Sequence, residues 1–84
     1  MSHTVQILRR AQKELAELPG NVFERACEEI RQLGQEPRPL GCRKLTGREG
    51  WRIRVGDYRI VYKIDDDQKV VTVVHVGHRR DVYR

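Results

Sequence analysis

The chain has 84 residues, 38% of them hydrophobic and 35% charged, and a formal net charge of +5. A chain of that length closes one modest core and buries only roughly 60–65% of the surface its unfolded form exposes, so residues 1–84 are expected to form a single domain. The composition argues against disorder and low complexity, and no apolar run approaches the ~18–20 residues of a membrane span. Met1-Ser2-His3 lacks the charged and apolar regions of a secretory signal, so a cytoplasmic protein with no membrane partner is expected. Cys27 and Cys42 form no CxxC pair and have no His at metal-ligand spacing. They read as small buried hydrophobes, and neither a metal nor a small-molecule cofactor is expected.

Charge is unevenly placed. Residues 1–42 carry six Lys/Arg against six Glu, whereas residues 43–84 carry eleven Lys/Arg against six Asp/Glu, so the whole +5 excess sits in the second half. A basic field confined to one part of a small chain points to a polyanionic partner, nucleic acid or acidic protein.

In chain order, Thr4 to Leu8 is short and partly β-branched and reads as an opening strand. A helix follows from Arg9 or Arg10, with Leu8, Ala11, Leu15 and Leu18 on one face and Arg10, Lys13, Glu14 and Glu17 toward solvent. Pro19-Gly20 stops it. Asn21 as N-cap with Glu24 three residues later predicts a capping-box start to a second helix, whose stripe is Phe23, Ala26, Cys27, Ile30 and Leu33. Gly34 to Gly41, holding Pro37 and Pro39, reads as an extended connection. Cys42 to Leu45 makes a short strand, and Thr46 to Gly50 a polar turn. Trp51-Arg52-Ile53-Arg54-Val55 alternates with period two, Gly56-Asp57 signals a type II′ hairpin, and Tyr58 to Ile64 is the returning strand. After a turn at Asp65 to Lys69, Val70 to Val76 is almost wholly β-branched, as a central strand covered on both faces would be. The fold class is therefore α+β, a helical hairpin packed on a small antiparallel sheet.

A two-residue loop at Gly56-Asp57 pairs Val55 with Tyr58, Arg54 with Arg59, Ile53 with Ile60 and Arg52 with Val61. One face then carries Trp51, Ile53, Val55, Tyr58, Ile60 and Tyr62 toward the helices. The other carries Arg52, Arg54, Arg59, Val61 and Lys63, with Arg54 and Arg59 directly opposed, where like charges cost stability unless an anion lies between them. The bland alternative is a solvated outer face. Repeated use of Arg, whose planar donor fork matches phosphate oxygens, and the absence of any acid on that face favour phosphodiester binding. Beyond the last strand lie His78, Arg79, Arg80 and Tyr83. His78 is the group there with a reference pKa near neutrality, ~6.5, His75 reads as a satisfied core histidine, and His3 as terminal and inert.

Lys44-Leu45-Thr46-Gly47, the run from Trp51 to Tyr62, and Val76-Gly77-His78-Arg79 with Asp81-Val82-Tyr83, all after a helical hairpin, resemble the RelE/ParE superfamily of type II toxin–antitoxin toxins, and its RelE branch in particular. The resemblance spans the chain and implies a β-α-α-β-β-β arrangement. It also implies an acidic or amphipathic cognate antitoxin as partner, and ribosome-dependent endoribonuclease cleavage of mRNA in the A site. The catalytic positions it implies are Arg52, Arg54, Arg59, Arg79 and Tyr83, with Arg43, Lys44, Arg48, Lys63 and Arg80 as RNA-binding residues around them. The chemistry implied is attack of a ribose 2′-oxygen on the adjacent phosphate. Arg52, Arg54 and Arg59 would polarise the phosphate, Arg79 would stabilise the leaving oxygen, and His78 or Tyr83 would handle protons.

Relatives carry lysines where this chain has Arg52 and Arg54. An arginine with pKa above 12 does not take up a proton, so the base is unassigned. Relatives also often continue into a further helix after the motif with which this sequence ends, so direct antitoxin cover of the basic face is expected here. Two rival readings share the fold: a ParE-like toxin that inhibits DNA gyrase by protein contact, and a catalytically silent RNA- or protein-binding module.

Overall fold

The computed structural model describes residues 2–78. Its elements are β1 (Thr4–Ile7), α1 (Arg9–Ala16), α2 (Gly20–Leu33), β2 (Arg43–Lys44), β3 (Trp51–Val55), β4 (Tyr58–Asp65) and β5 (Val70–His78). The five strands form one sheet in the order β1-β5-β4-β3-β2. β2-β3-β4-β5 is antiparallel throughout, as expected, and β1 adds a parallel pairing along β5 from Thr4↔Val70 to Ile7↔Val73. β1 thereby gives β5 a neighbour on each side and leaves β4 in the middle.

Leu8 is still extended (φ −60°, ψ 151°) and stands at the N-cap of α1 without a side-chain cap. The helix ends at Ala16, three residues before the Pro19-Gly20 stop, and Pro19 takes the N-cap position of α2, its carbonyl accepting the Phe23 N–H at 2.8 Å. Proline's preset φ suits a helix start. The start therefore lies two residues before Asn21, which falls inside the first turn, and the expected capping box does not form. The buried stripe shifts accordingly. Ala26, Ile30 and Leu33 face the sheet with Val22 and Cys27 beside them, while Phe23 stays 39% exposed. Cys27 and Cys42 are half-buried free thiols against the core.

The core lies between the helices and one face of the sheet: Ala11, Leu15, Ala26, Ile30 and Leu33 meet Ile53, Val55, Ile60, Tyr62, Val71, Val73 and Val76. Burying each of the larger aliphatics contributes on the order of 1.5–3 kcal/mol. The Val-rich β5 is not covered evenly on both faces. Val61 pairs with His75 and Tyr62 with Val73, so Val74 is an extra residue, a β-bulge. Inward parity steps at that bulge from Val71 and Val73 to Val76, and Val74 is left on the outer face with Val61 and Leu45.

Tyr62 is fully buried, and its hydroxyl donates to the Pro37 carbonyl at 2.7 Å, tying the 34–41 connection to β4. Burial pushes its phenol well above the usual range, so it stays a neutral donor. Arg38 in the same connection lies over the Trp51 ring at 5.1 Å and donates to Asp66 at 2.9 Å. His3, rather than being inert, approaches Asp66 at 3.4 Å.

Candidate phosphate-binding site

The hairpin that builds the site closes as the sequence implies. Gly56 has φ +61° while Asp57 does not share the positive φ, the II′ pattern, and the register is Val55↔Tyr58, Arg54↔Arg59, Ile53↔Ile60 and Arg52↔Val61. Two-residue β2 then pairs Arg43 with Arg52 and Lys44 with Trp51. At its end Leu45 folds back, its N–H bonding to Gly50 O at 3.0 Å, and covers Val61 from the outer face. Gly50 is required there: it has φ +132°, and a Cβ would meet Leu45 Cδ1 at 3.0 Å and the Tyr62 carbonyl at 3.3 Å.

The outer face between β2, the 46–50 turn and the hairpin is an open groove of about 710 Å³ lined by Cys42, Arg43, Lys44, Leu45, Thr46, Arg48, Arg52 and Arg59. Five cations stand around it with no carboxylate and no imidazole among the described lining residues. Arg52 and Arg59 are half-buried, their stems resting on the sheet, while Arg43, Lys44 and Arg48 are exposed at the rim. Guanidinium forks held in a concave, partly desolvated surface suit oxyanions of a phosphodiester.

Arg54 lies just beyond, lining a second concavity with Arg43, Arg52 and Glu29. Lys63 lines a third, more apolar depression on the same face. Arg79, Arg80 and Tyr83 lie outside the described residues. His78 is placed differently from the groove. It pairs with Tyr58, its ring edge-on to that tyrosine at 5.6 Å, while Gly77 stands opposite Arg59. Strand parity therefore puts His78 on the helix side of the sheet, in a depression with Glu14, Leu18, Tyr58 and His75, and not among the groove cations.

Glu14 was not legible as a structural residue. Instead of facing solvent, it accepts the Val76 N–H at 2.9 Å and pairs with His75 Nδ1 at 2.8 Å, which makes His75 a satisfied, half-buried histidine. Burial alone would raise the Glu14 carboxyl, but these donors and Arg10 together hold it below its usual range. The i, i+3 and i+4 spacing of Ala11, Leu15 and Leu18 points toward the sheet. Glu14 borders that stripe, and this adjacency was the only sequence signal available.

Comparison with known proteins agrees with this geometry. The family model described as "ParE toxin of type II toxin-antitoxin system, parDE" matches residues 5–83. Toxin RelG of Mycobacterium tuberculosis is 34% identical, with 100% of this chain and 99% of the relative covered. Toxin RelE of the same organism is 36% identical over 95% of this chain and 84% of the relative. The archaeal RelE–RelB complex from Pyrococcus horikoshii superposes with a TM-score of 0.84 at 30% identity, covering 98% of this chain and 100% of that one. The fold, the basic hairpin face and these matches together show that the chain belongs to the RelE/ParE superfamily of type II toxin–antitoxin toxins, in its RelE branch.

Proposed function

We propose that this toxin is a ribosome-dependent endoribonuclease that cleaves mRNA in the A site and so stops translation. The observation that carries the reading is the groove whose described lining holds five cations and no acid, formed where Arg52 and Arg59 emerge from the paired strands. A ParE-like gyrase inhibitor acts by protein contact and has no need of a concave phosphate site.

In the proposed reaction the ribose 2′-OH gives up its proton, the 2′-oxygen bonds to the adjacent phosphorus, and the bond to the 5′-oxygen breaks as that oxygen takes a proton. The products are a 2′,3′-cyclic phosphate and a 5′-hydroxyl. Arg52 and Arg59 hold the non-bridging oxygens and stabilise the charge that grows on them. Arg54 is placed to receive a flanking phosphate, and Arg43, Lys44, Arg48 and Lys63 hold the strand. Arg79 on the leaving oxygen and Tyr83 as a proton carrier are assigned by their match to the family motif, and Arg80 as a further RNA contact. With His78 on the helix side of the sheet, the proton is assigned to Tyr83, by its match to the family motif, or to a group of the ribosome. That fits an enzyme that works only on programmed ribosomes.

The toxin acts in the cytoplasm as a single domain. Its partner is a cognate antitoxin, a reading supported by the toxin–antitoxin complexes among its structural neighbours, and an acidic or amphipathic antitoxin segment complements the charge of the arginines. Expression in cells tests the reading. Translation arrest with cuts at A-site codons supports it, and DNA damage with intact translation favours the gyrase alternative.

A further inference from the structure

The third depression on the arginine face, about 350 Å³, is lined by Leu8, Val61 and Val74 with Arg10, Arg48, Lys63 and His75 around them. Arg48 also lines the cationic groove, so the two hollows share a wall. Three separate features of the chain build this apolar floor. The β-bulge leaves Val74 on the outer face, Val61 sits beneath Leu45 at 4% exposure, and the uncapped start of α1 leaves Leu8 47% exposed. Val61 and part of Val74 pack with Leu45, while Leu8 and the open side of Val74 leave aliphatic carbon on an otherwise charged face, ringed by three cations.

We propose that this shelf receives an unstacked nucleobase of the RNA whose phosphates lie in the groove, with Arg48, between the two hollows, holding the connecting phosphate. The inference rests on the RNA-binding reading of that groove. Single-stranded RNA is bound by splaying bases onto apolar or planar surfaces while cations track its backbone, and the shelf supplies the first requirement beside the second. Its size and shape favour a base over an amphipathic helix, which needs a longer row of anchors spaced at i, i+3, i+4 and i+7. The aliphatic floor itself has no donors or acceptors to read a base edge, so it holds a base by its face.

The test compares two short oligomers of equal length, a single-stranded RNA and the same ribose-phosphate backbone without bases, added to the methyl-labelled full chain. The RNA should move the Leu8, Val61 and Val74 methyl resonances upfield by ring currents. The abasic backbone should move the side-chain signals of the groove cations, Arg52 and Arg59 among them, and leave the three sets of methyls in place. Leu8→Ser, which places a good N-cap residue at the start of α1, and Val74→Thr, which keeps the β-branched shape, should each weaken RNA binding about fivefold and leave the abasic oligomer unaffected. Arginine shifts without methyl shifts, or equal weakening for both oligomers, would overturn the base shelf and leave the phosphate groove standing. Methyl shifts produced by an acidic amphipathic peptide and not by RNA would overturn it in favour of a protein occupant. No response at arginines or methyls would overturn the shelf together with RNA binding by the free chain, and leave the ribosome assay to decide the cleavage reading.

Discussion

Replacing Arg52 and Arg59 together with Gln removes two charges from the groove while keeping hydrogen-bonding side chains on the sheet. Among the described residues, five cations line that groove. Each phosphate neutralised on a single strand contributes about −0.7 to the slope of log affinity against log salt, so full engagement gives about −3.5 and the double variant about −2.1. Both residues are only half-buried, and after allowance for solvent screening each contact is worth about 1 kcal/mol. The pair then costs roughly 30-fold in affinity near 0.1 M salt. Fluorescence anisotropy of a labelled single-stranded RNA across a salt series measures both quantities, with circular dichroism to confirm that the fold is kept. A double variant whose affinity falls while its slope stays at the wild-type value would refute the reasoning, since its arginines would not be meeting phosphates.

Tyr62→Phe leaves the Pro37 carbonyl without its buried donor. It should cost on the order of 1–3 kcal/mol, read by calorimetry as a fall of at least about 4 °C in Tm. Glu14 has a folded pKa below its ordinary value of 4.5, so its contribution is fully present above that value and is lost as pH falls through the lower folded one. Glu14→Gln should therefore unfold more easily than the parent at pH 7 in urea, and the gap should narrow as the pH is lowered below 4.5. Phe23, at the margin of α2, should tolerate Gln at a cost under about 1 kcal/mol, whereas Ile30→Ala should cost on the order of 2–5 kcal/mol in the same urea titration.

The hairpin was readable from the sequence because its information is local. Gly56-Asp57 selects the turn, the turn sets the register, and period-two alternation then sorts Arg52, Arg54 and Arg59 onto one face. The features that the sequence does not reveal depend on distant partners. Nothing in seven nearly uniform β-branched residues marks Val74 as the bulge, which is set by pairing with β4, and the bulge in turn decides which face His78 takes. Glu14 looks like any solvent-facing helix residue until the Val76 N–H and His75 stand opposite it. Hydrophobicity points Phe23 toward the core, but the helix that starts after Pro19 packs Val22 there and leaves Phe23 39% exposed. The assembly of Arg43, Lys44 and Arg48 with the hairpin arginines follows from the fold-back of Leu45 onto Val61, a tertiary contact that charge counting cannot reveal.

The central claim is that the groove arginines serve cleavage of ribosome-bound mRNA. The most direct measurement programs purified ribosomes with a defined mRNA, adds the purified chain, and maps the ends by primer extension. The account predicts cuts confined to the A-site codon, with a 2′,3′-cyclic phosphate on the upstream fragment, lost when Arg52 and Arg59 are both Ala. Programmed ribosomes that bind the chain yet keep their mRNA intact, or cuts that persist undiminished in the double variant, would contradict it.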